Sequence, residues 1–185
     1  MRIVGGTYRG RKLQVPQSRD IRPTSDKIRG AIFNALEARG AVNGAQVLDC
    51  FCGTGALGFE ALSRGADQAT FWDNHAKSLA LAKQNAQELD VTEQSKFQKR
   101  DASASLSGLK GQSYDLVFLD PPYRKDLIPL TLQSLMQGGL LADDAFAVLE
   151  MEKDHDPNPG ASFIVHFDKS YGDTRVMIIQ NRHKE

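Results

Sequence analysis

One short stretch, residues 116–123, constrains the fold of this chain more than any other. Residues 116–119 form an unbroken apolar run, Leu-Val-Phe-Leu, which is typical of a strand buried on both faces of a sheet. Asp120 follows at once, and neither Pro121 nor Pro122 can donate a hydrogen bond to a neighbouring strand. The strand therefore ends in a carboxylate, at the edge of the sheet where open α/β folds bind their ligands.

The rest of the chain alternates between strand and helix patterns, which predicts an α/β fold with a doubly wound sheet. We predict seven strands, at residues 46–52, 68–73, 96–100, 116–119, 145–150, 162–167 and 175–180. Helices are predicted at residues 24–39, 56–63, 76–89 and 127–137, with a short helical stretch at 104–109. Right-handed crossovers place helices on both faces of the sheet. Because the last two strands lie close together in sequence, they should be antiparallel, so the sheet is mostly parallel with an antiparallel last strand.

Residues 1–30 are strongly basic although the chain as a whole is neutral. They hold eight Lys or Arg residues against two Asp residues, whereas the chain has 23 residues of each sign. A basic segment on a mildly acidic body is expected where one end of a protein binds a polyanion. Short β-forming runs at 2–4 and 11–15 predict a small β-hairpin. We therefore divide the chain into a basic N-terminal hairpin and linker, 1–23, and a main domain, 24–185.

A glycine pattern between the first predicted strand and the next helix indicates a nucleotide-like ligand. Gly53, Gly55 and Gly58 fit G-x-G-x-x-G, in which glycines let the backbone approach the ligand, although a purely structural turn remains open. Asp73 lies 18 residues beyond Gly55, where an acid accepts hydrogen bonds from ribose hydroxyls. Asp49 precedes Gly53 on the strand itself, where it would repel a pyrophosphate and attract an ammonium group. Asp49 favours S-adenosyl-L-methionine over a dinucleotide, and so does Asp101 after the third predicted strand, where an adenine amine could find an acceptor.

The residues that follow the apolar strand suit a planar group that bears an NH2. Asp120 and the backbone carbonyls held by the prolines are acceptors, so two of them can take both protons of an amine. The ring of Tyr123 can stack on the face of a base. A simple strand-ending turn is the alternative interpretation, but the full Asp-Pro-Pro-Tyr sequence after a buried strand favours ligand binding.

The motifs together resemble those of known enzymes. Asp-Pro-Pro-Tyr at 120–123 resembles the (Asp/Asn)-Pro-Pro-(Tyr/Phe) motif of methyltransferases that modify exocyclic amines of bases. The chain is further similar to the bacterial family that methylates guanine N2 in 16S ribosomal RNA (RsmD-like enzymes), in the blocks 2–6, 9–13, 22–29, 48–58 and 171–174. The resemblance implies a Rossmann-like class I methyltransferase fold, S-adenosylmethionine as cofactor, and 16S ribosomal RNA as partner, naked or within a partly assembled small subunit.

Three sets of site residues are predicted from these patterns and this resemblance. The catalytic residues are Asp120, Pro121, Pro122 and Tyr123. The cofactor-binding residues are Asp49, Phe51, Gly53, Thr54, Gly55, Leu57, Asp73, Asn74, Asp101 and Ala102, with a helix cap as an equal alternative for Asp101. The RNA-binding residues are Arg2, Arg9, Arg11, Lys12, Arg22 and Arg29, although the segment 22–29 is open to a second role as a lid over the cofactor.

Composition excludes several other classes of protein. Two cysteines, Cys50 and Cys52, are too few for a disulfide framework, and with four scattered histidines they form no recognisable metal site. We interpret both as small buried hydrophobes rather than nucleophiles. No apolar run approaches membrane-spanning length, so a cytoplasmic protein is expected, as a monomer.

Two other functions remain open. A DNA adenine-N6 methyltransferase would use the same Asp-Pro-Pro-Tyr chemistry, but residues 1–23 are too few for a target-recognition region. A non-catalytic ribosome-assembly factor would use the basic segment alone, and an intact glycine loop together with an intact Asp-Pro-Pro-Tyr sequence argues against it.

Overall fold

The computed structural model describes residues 1–16, 25–104, 106, 109, 111–122 and 127–182. Its centre is one seven-stranded sheet with the order β3-β2-β1-β4-β5-β7-β6. Strands β1 to β5 run parallel, and β7 runs antiparallel to both β5 and β6. The strands are β1 Gln46–Asp49, β2 Gln68–Asp73, β3 Ser95–Lys99, β4 Tyr114–Leu119, β5 Leu141–Glu152, β6 Phe163–Tyr171 and β7 Thr174–Asn181. The predicted fold class is confirmed.

Helices cover both faces of the sheet, as right-handed crossovers require. They are α1 Asp26–Glu37, α2 Ala56–Ser63, α3 Ala76–Leu89 and α4 Leu127–Gln137, with a short 3₁₀ helix at Thr92–Gln94. One buried cluster joins α1, α2 and α3 to the sheet, and a second joins α4 to the opposite face. The hydroxyl of Ser25 accepts from the N–H of Ile28 and caps α1.

Several elements differ from their predicted bounds, by one or two residues in α1, β3, β4 and β7 and by more in β1, β5 and β6, where β6 runs on to Tyr171. β1 ends at Asp49 rather than at residue 52, because the chain there bends into the glycine loop. β5 extends beyond 145–150 at both ends, because β4 pairs with Leu141 across a register shift and β7 pairs with Met151 and Glu152. In the stretch 104–109, the described residues Ala104, Leu106 and Leu109 are not helical.

Residues 1–16, which we call the N-terminal arm, pack on the face that carries α1, α2 and α3. The predicted hairpin is reduced to one antiparallel bridge, between Arg2 and Lys12. Ile3 and Leu13 are 1% and 4% exposed and belong to the same buried cluster as the three helices. The predicted division between 1–23 and 24–185 falls at the edge of the undescribed residues 17–24 and stays a prediction.

A buried carboxylate on α2 holds the arm in place. Glu60 is 0% exposed, and its oxygens accept from the backbone N–H groups of Val4 and Gly5 at 2.7 and 2.8 Å. Arg64, one turn further along α2, donates to the same carboxylate at 2.8 Å. Because a buried charge is tolerated only when it is paired and hydrogen-bonded, the arm is part of what makes Glu60 acceptable in the core.

Candidate active site

The carboxyl ends of β2, β1 and β4 lie side by side at one edge of the sheet. In the register, Asp49 on β1 pairs with Phe71 on β2 and with Phe118 on β4. Two residues further along these strands come Phe51, Asp73 and Asp120, and neighbouring strands are about 4.8 Å apart. The ladder continues beyond β1, since Cys50 N–H donates to Phe118 and Cys52 N–H to Trp72 at 3.0 and 2.9 Å. Asp120 therefore lies beside the loop that follows β1.

The β1–α2 loop, residues 50–55, has one open glycine and one closely packed glycine. A Cβ added to Gly53 would meet nothing within 4 Å, so the backbone there faces open space that a ligand can approach. A Cβ added to Gly55 would lie 2.4 Å from the ring of Phe59, and one added to Gly58, in α2, 2.3 Å from the ring of Phe71. Gly55 and Gly58 are thus required by packing, while Gly53 is available to a ligand.

Asp49 is a buried acid at the base of this loop. It is 2% exposed, and its Oδ2 accepts from the N–H of Gly58 at 3.2 Å. Burial raises the pKa of Asp49 to about 7, backbone N–H groups of Gly58 and Phe51 oppose that rise, and the nearby charge of Asp73 adds to it. Among the described residues, no Lys, Arg or His pairs with Asp49. A carboxylate in this setting is suited to bind a ligand ammonium group.

Asp73 ties the end of β2 to the loop. Its Oδ2 accepts from the N–H of Gly53 at 3.0 Å, and its Oδ1 accepts from the N–H of His75 at 2.8 Å. The residue is 8% exposed, whereas Asn74 beside it is exposed. The carboxylate thus holds the open glycine in place at the carboxyl edge of the sheet, where an acceptor for ribose hydroxyls is expected.

Asp101 makes the contacts of a turn-capping residue. It is exposed, and its Oδ1 accepts from both the N–H and the hydroxyl of Ser103, at 2.9 and 2.6 Å. These hydrogen bonds lower the pKa of Asp101. Asp101 thus closes a local turn rather than capping a helix, since none of the described residues 101–109 is helical, and a contact with the cofactor stays a prediction for Asp101 and for Ala102, which is 1% exposed.

Of the predicted catalytic residues, three are described. Asp120 is half-buried, Pro121 is buried and Pro122 is exposed, so the segment leaves the sheet interior within three residues. Tyr123 lies outside the described residues. The cofactor-loop residues Thr54 and Leu57 are 8% and 6% exposed.

One of the predicted RNA contacts is wrong. Arg29 is 0% exposed, and its guanidinium donates to the carbonyl of Arg2 at 2.8 Å and to Asp26 at 2.7 Å. Its Nε also lies 3.9 Å from Glu60. Because the side chain points into the core and is used by these partners, it neither contacts RNA nor covers the cofactor.

The other predicted RNA contacts lie at the surface of the arm or outside the described residues. Arg9, Arg11 and Lys12 are exposed. Arg2 pairs with Asp26 at 2.7 Å but keeps 66% of its side chain exposed. Arg22 lies outside the described residues.

The interpretation of the two cysteines as small buried hydrophobes is confirmed. Cys50 and Cys52 are both free and buried, and burial raises the pKa of each thiol, which disfavours a nucleophilic role. Within the described ranges, no group of three or more His, Cys, Asp or Glu residues is placed to hold a metal. No helix there is long and apolar enough to cross a membrane.

The sequence interpretation missed two buried polar residues, Glu60 and Asn85, each 0% exposed. Glu60 stands alone between apolar residues of α2, and Asn85 lies beside the apolar stripe of α3. A single polar side chain within an apolar helical pattern was the available signal for both.

The strand order and the glycine loop at the carboxyl edge define the class I methyltransferase fold. A solved structure from Escherichia coli, the protein yhhF, provisionally named a methyltransferase, superposes with a TM-score of 0.88 at 36% identity and covers 100% of this chain and 99% of its own. The family model described as "Conserved hypothetical protein 95" matches residues 1–180, and the chain belongs to this family.

Curated relatives agree with this assignment. "Ribosomal RNA small subunit methyltransferase D" of Escherichia coli strain K12 is 37% identical over 182 residues, which is 97% of this chain and 89% of the relative. The protein of the same name from Haemophilus influenzae is 36% identical over 156 residues, 83% of this chain and 80% of that relative. The resemblance to RsmD-like proteins inferred from the sequence motifs is confirmed.

Proposed function

We propose that this protein is an S-adenosylmethionine-dependent methyltransferase that modifies the exocyclic N2 amine of a guanine in 16S ribosomal RNA. The observation that carries the proposal is the register of β1 and β4, which brings Asp120 and its prolines beside the open glycine loop. The names of the curated relatives support an RNA of the small ribosomal subunit as substrate. Guanine N2 is supported by the Asp-Pro-Pro-Tyr sequence and the resemblance that it carries.

The residues at the carboxyl edge fit S-adenosylmethionine. The open side of Gly53 offers backbone to the ligand, the buried Asp49 offers a carboxylate to its ammonium group, and Asp73 offers acceptors to its ribose. Bound there, the cofactor supplies an electrophilic methyl group on a sulfonium.

The chain's own contribution to the reaction is to hold the amine. The Asp120 carboxylate and the Pro121 carbonyl accept hydrogen bonds from the two N–H groups of the amine, so that the nitrogen lone pair is less delocalised into the base and faces the methyl group. Tyr123 stacks on the base, which must leave its helical stack to reach this edge. Such stacking contributes about 1–3 kcal/mol per base. Positioning accounts for most of the rate, because well-oriented reactants reach effective molarities of about 10⁵–10⁸ M.

The exposed cations of the arm supply the electrostatic part of RNA binding. Arg9, Arg11 and Lys12 lie on the surface of the arm, where they can contact phosphates. A-form RNA offers little direct readout, so recognition depends on shape, either of the naked RNA or of a partly assembled small subunit. A protein with this substrate works in the cytoplasm, and nothing in the proposed reaction requires more than one copy of the chain.

The proposal is tested by replacing Asp120. Asp120→Ala removes one amine acceptor, so methyl transfer to small-subunit RNA should fall by about 10²-fold or more, while S-adenosylhomocysteine still binds. Asp115→Ala makes the same change at the opposite end of β4 and should keep full activity. Transfer is measured with labelled cofactor, and the product by mass spectrometry of the RNA nucleosides.

Two outcomes would contradict the proposal. Full activity of Asp120→Ala would remove the assigned acceptor, and N6-methyladenine in DNA without N2-methylguanosine in RNA would favour the DNA-directed alternative.

A further inference from the structure

Asn85 is a buried amide that joins the N-terminal arm to the β1–α2 loop. It lies on α3 with 0% exposure, and its Oδ1 accepts from the N–H of Gln14 at 2.7 Å. Its Nδ2 donates to the carbonyl of Gln14 at 3.1 Å and to the carbonyl of Thr54 at 2.9 Å. One side chain therefore makes three hydrogen bonds, and all three form only when the arm and the loop are both in place.

Other contacts seat the arm on the same side of α3 and on the loop. The guanidinium of Arg11 donates to the carbonyl of Glu88, three residues after Asn85. At the start of the arm, the hydroxyl of Thr54 lies 3.6 Å from the sulfur of Met1. A buried polar group that loses its partner is more costly than the bond it made, so the seated arm and the observed loop stabilise each other.

We propose that Asn85 is a positioning residue that couples RNA binding by the arm to cofactor binding by the loop, an inference that rests on the proposed function. Thr54 lies between Gly53 and Gly55, so the bond from Asn85 fixes backbone that faces the cofactor. RNA bound to the exposed cations favours the seated arm, and the seated arm completes the bonds of Asn85. By linkage, each ligand then raises the affinity for the other by the same factor.

The coupling is measured with S-adenosylhomocysteine and a 16S ribosomal RNA transcript, on the full-length protein. In the wild type, saturating S-adenosylhomocysteine should lower the Kd for RNA by roughly five-fold or more, the lower range for coupled sites. Asn85→Asp replaces the amide donor with an oxygen that faces two carbonyls. The ratio of the Kd for RNA without S-adenosylhomocysteine to the Kd with it should then fall to about one, which means no coupling. Asn85→Ser loses the same bridge without adding a buried charge and should behave alike.

Gln87→Glu is the matched control. It makes the same amide-to-acid change two positions further along α3, where the side chain is exposed and has no hydrogen bond to the described residues. Coupling in this variant should equal that of the wild type. A purely structural role of Asn85 would weaken both single affinities and leave the ratio unchanged, so the ratio separates the two roles.

The result that overturns the inference differs from the one that overturns the function. Independent binding of RNA and S-adenosylhomocysteine by a wild type that still methylates RNA rejects the coupling and leaves the function intact. Unchanged coupling in both Asn85 variants rejects the role of this residue. A wild type that transfers no methyl group to RNA rejects the proposed function itself.

Discussion

The carboxyl group of Asp49 lies inside the protein, and burial raises its pKa from 3.8 to about 7. Because the folded state binds this proton more tightly than the unfolded state, the folded protein carries more protons between these two pH values. The free energy of unfolding therefore falls as the pH rises through this window and levels off above it. In the proposed function, the ionised form of Asp49 pairs with the ammonium group of the cofactor. The same ionised form lowers the free energy of unfolding of the protein without ligand.

Asp49→Asn should stabilise the free protein at alkaline pH. The amide cannot ionise but keeps an oxygen for the N–H of Gly58, so at about pH 8 the variant should exceed the wild type by up to roughly 4 kcal/mol. Near about pH 4 the difference should vanish, because both side chains are then neutral. Urea unfolding across this range measures the effect. A difference that does not change with pH would contradict the assigned pKa.

Arg29 shows what a residue-by-residue interpretation of charge cannot resolve. A run of basic residues predicts a surface for a polyanion, but the same charge can be turned inward when buried acceptors are available. The carbonyl of Arg2 and the carboxylate of Glu60 come from parts of the chain far from Arg29 in sequence. Only the packing of the arm on α1 and α2 brings them together, so no local pattern identifies the exception.

At the scale of elements, the arm and α2 approach each other closely enough to require glycine. Gly6 has a φ of +73°, and a Cβ there would lie 1.8 Å from the carbonyl oxygen of Ser63 at the end of α2. Ser63 also donates its hydroxyl to the carbonyl of Gly5 at 2.6 Å. Gly5 and Gly6 are therefore needed for the close contact between the arm and α2, as well as for the turn between the extended runs at 2–4 and 11–15.

Gly6→Ala should destabilise the protein more than Gly10→Ala does. Gly10 has a φ of +86°, but a Cβ there would meet nothing within 4 Å. Gly10→Ala therefore measures the strain of a positive φ alone, about 1–2 kcal/mol. Gly6→Ala causes the same kind of strain and also displaces the arm from α2. Its free energy of unfolding, measured in urea, should therefore fall further than that of Gly10→Ala. Equal losses would mean that the arm yields to the added methyl group without disturbing α2.

Elements with a complete local signal are predicted to the residue, and those held by their neighbours are not. α2, α3 and α4 each combine an apolar pattern with a glycine or a left-handed residue just beyond the helix, and their predicted bounds are confirmed. The length of β5 is underestimated because its apolar run begins only at Ala145. The strand itself begins at Leu141 and includes the polar residues Asp143 and Asp144. In the site, the loop and the edge of the sheet are predictable from glycines and acids. A polar residue beside the apolar stripe of α3 marks Asn85, but its partners Gln14 and Thr54 lie in distant segments, so the bridge itself has no local signal.

At the scale of the whole molecule, the neutral net charge divides into an exposed basic arm and a mildly acidic body. Each arm cation that contacts a phosphate adds about 0.7–0.9 to the slope of log K against log salt. The double variant Arg9→Glu and Lys12→Glu removes two such contacts from the exposed face of the arm. The slope for 16S ribosomal RNA should therefore decrease by about 1.4–1.8.

A control with the same change in net charge separates arm contacts from general electrostatics. Arg39→Glu and Arg182→Glu alter two exposed cations beside the start of β6, at the opposite end of the strands from Asp120, whereas α3, on which the arm lies, packs on β2 and β3. Filter binding at several salt concentrations should give this variant the wild-type slope, with a small uniform loss of affinity. If both double variants lower the slope equally, RNA responds to the total charge of the protein. If only the arm variant lowers it, the arm contacts the phosphates directly, because counterions are released only where a cation replaces them.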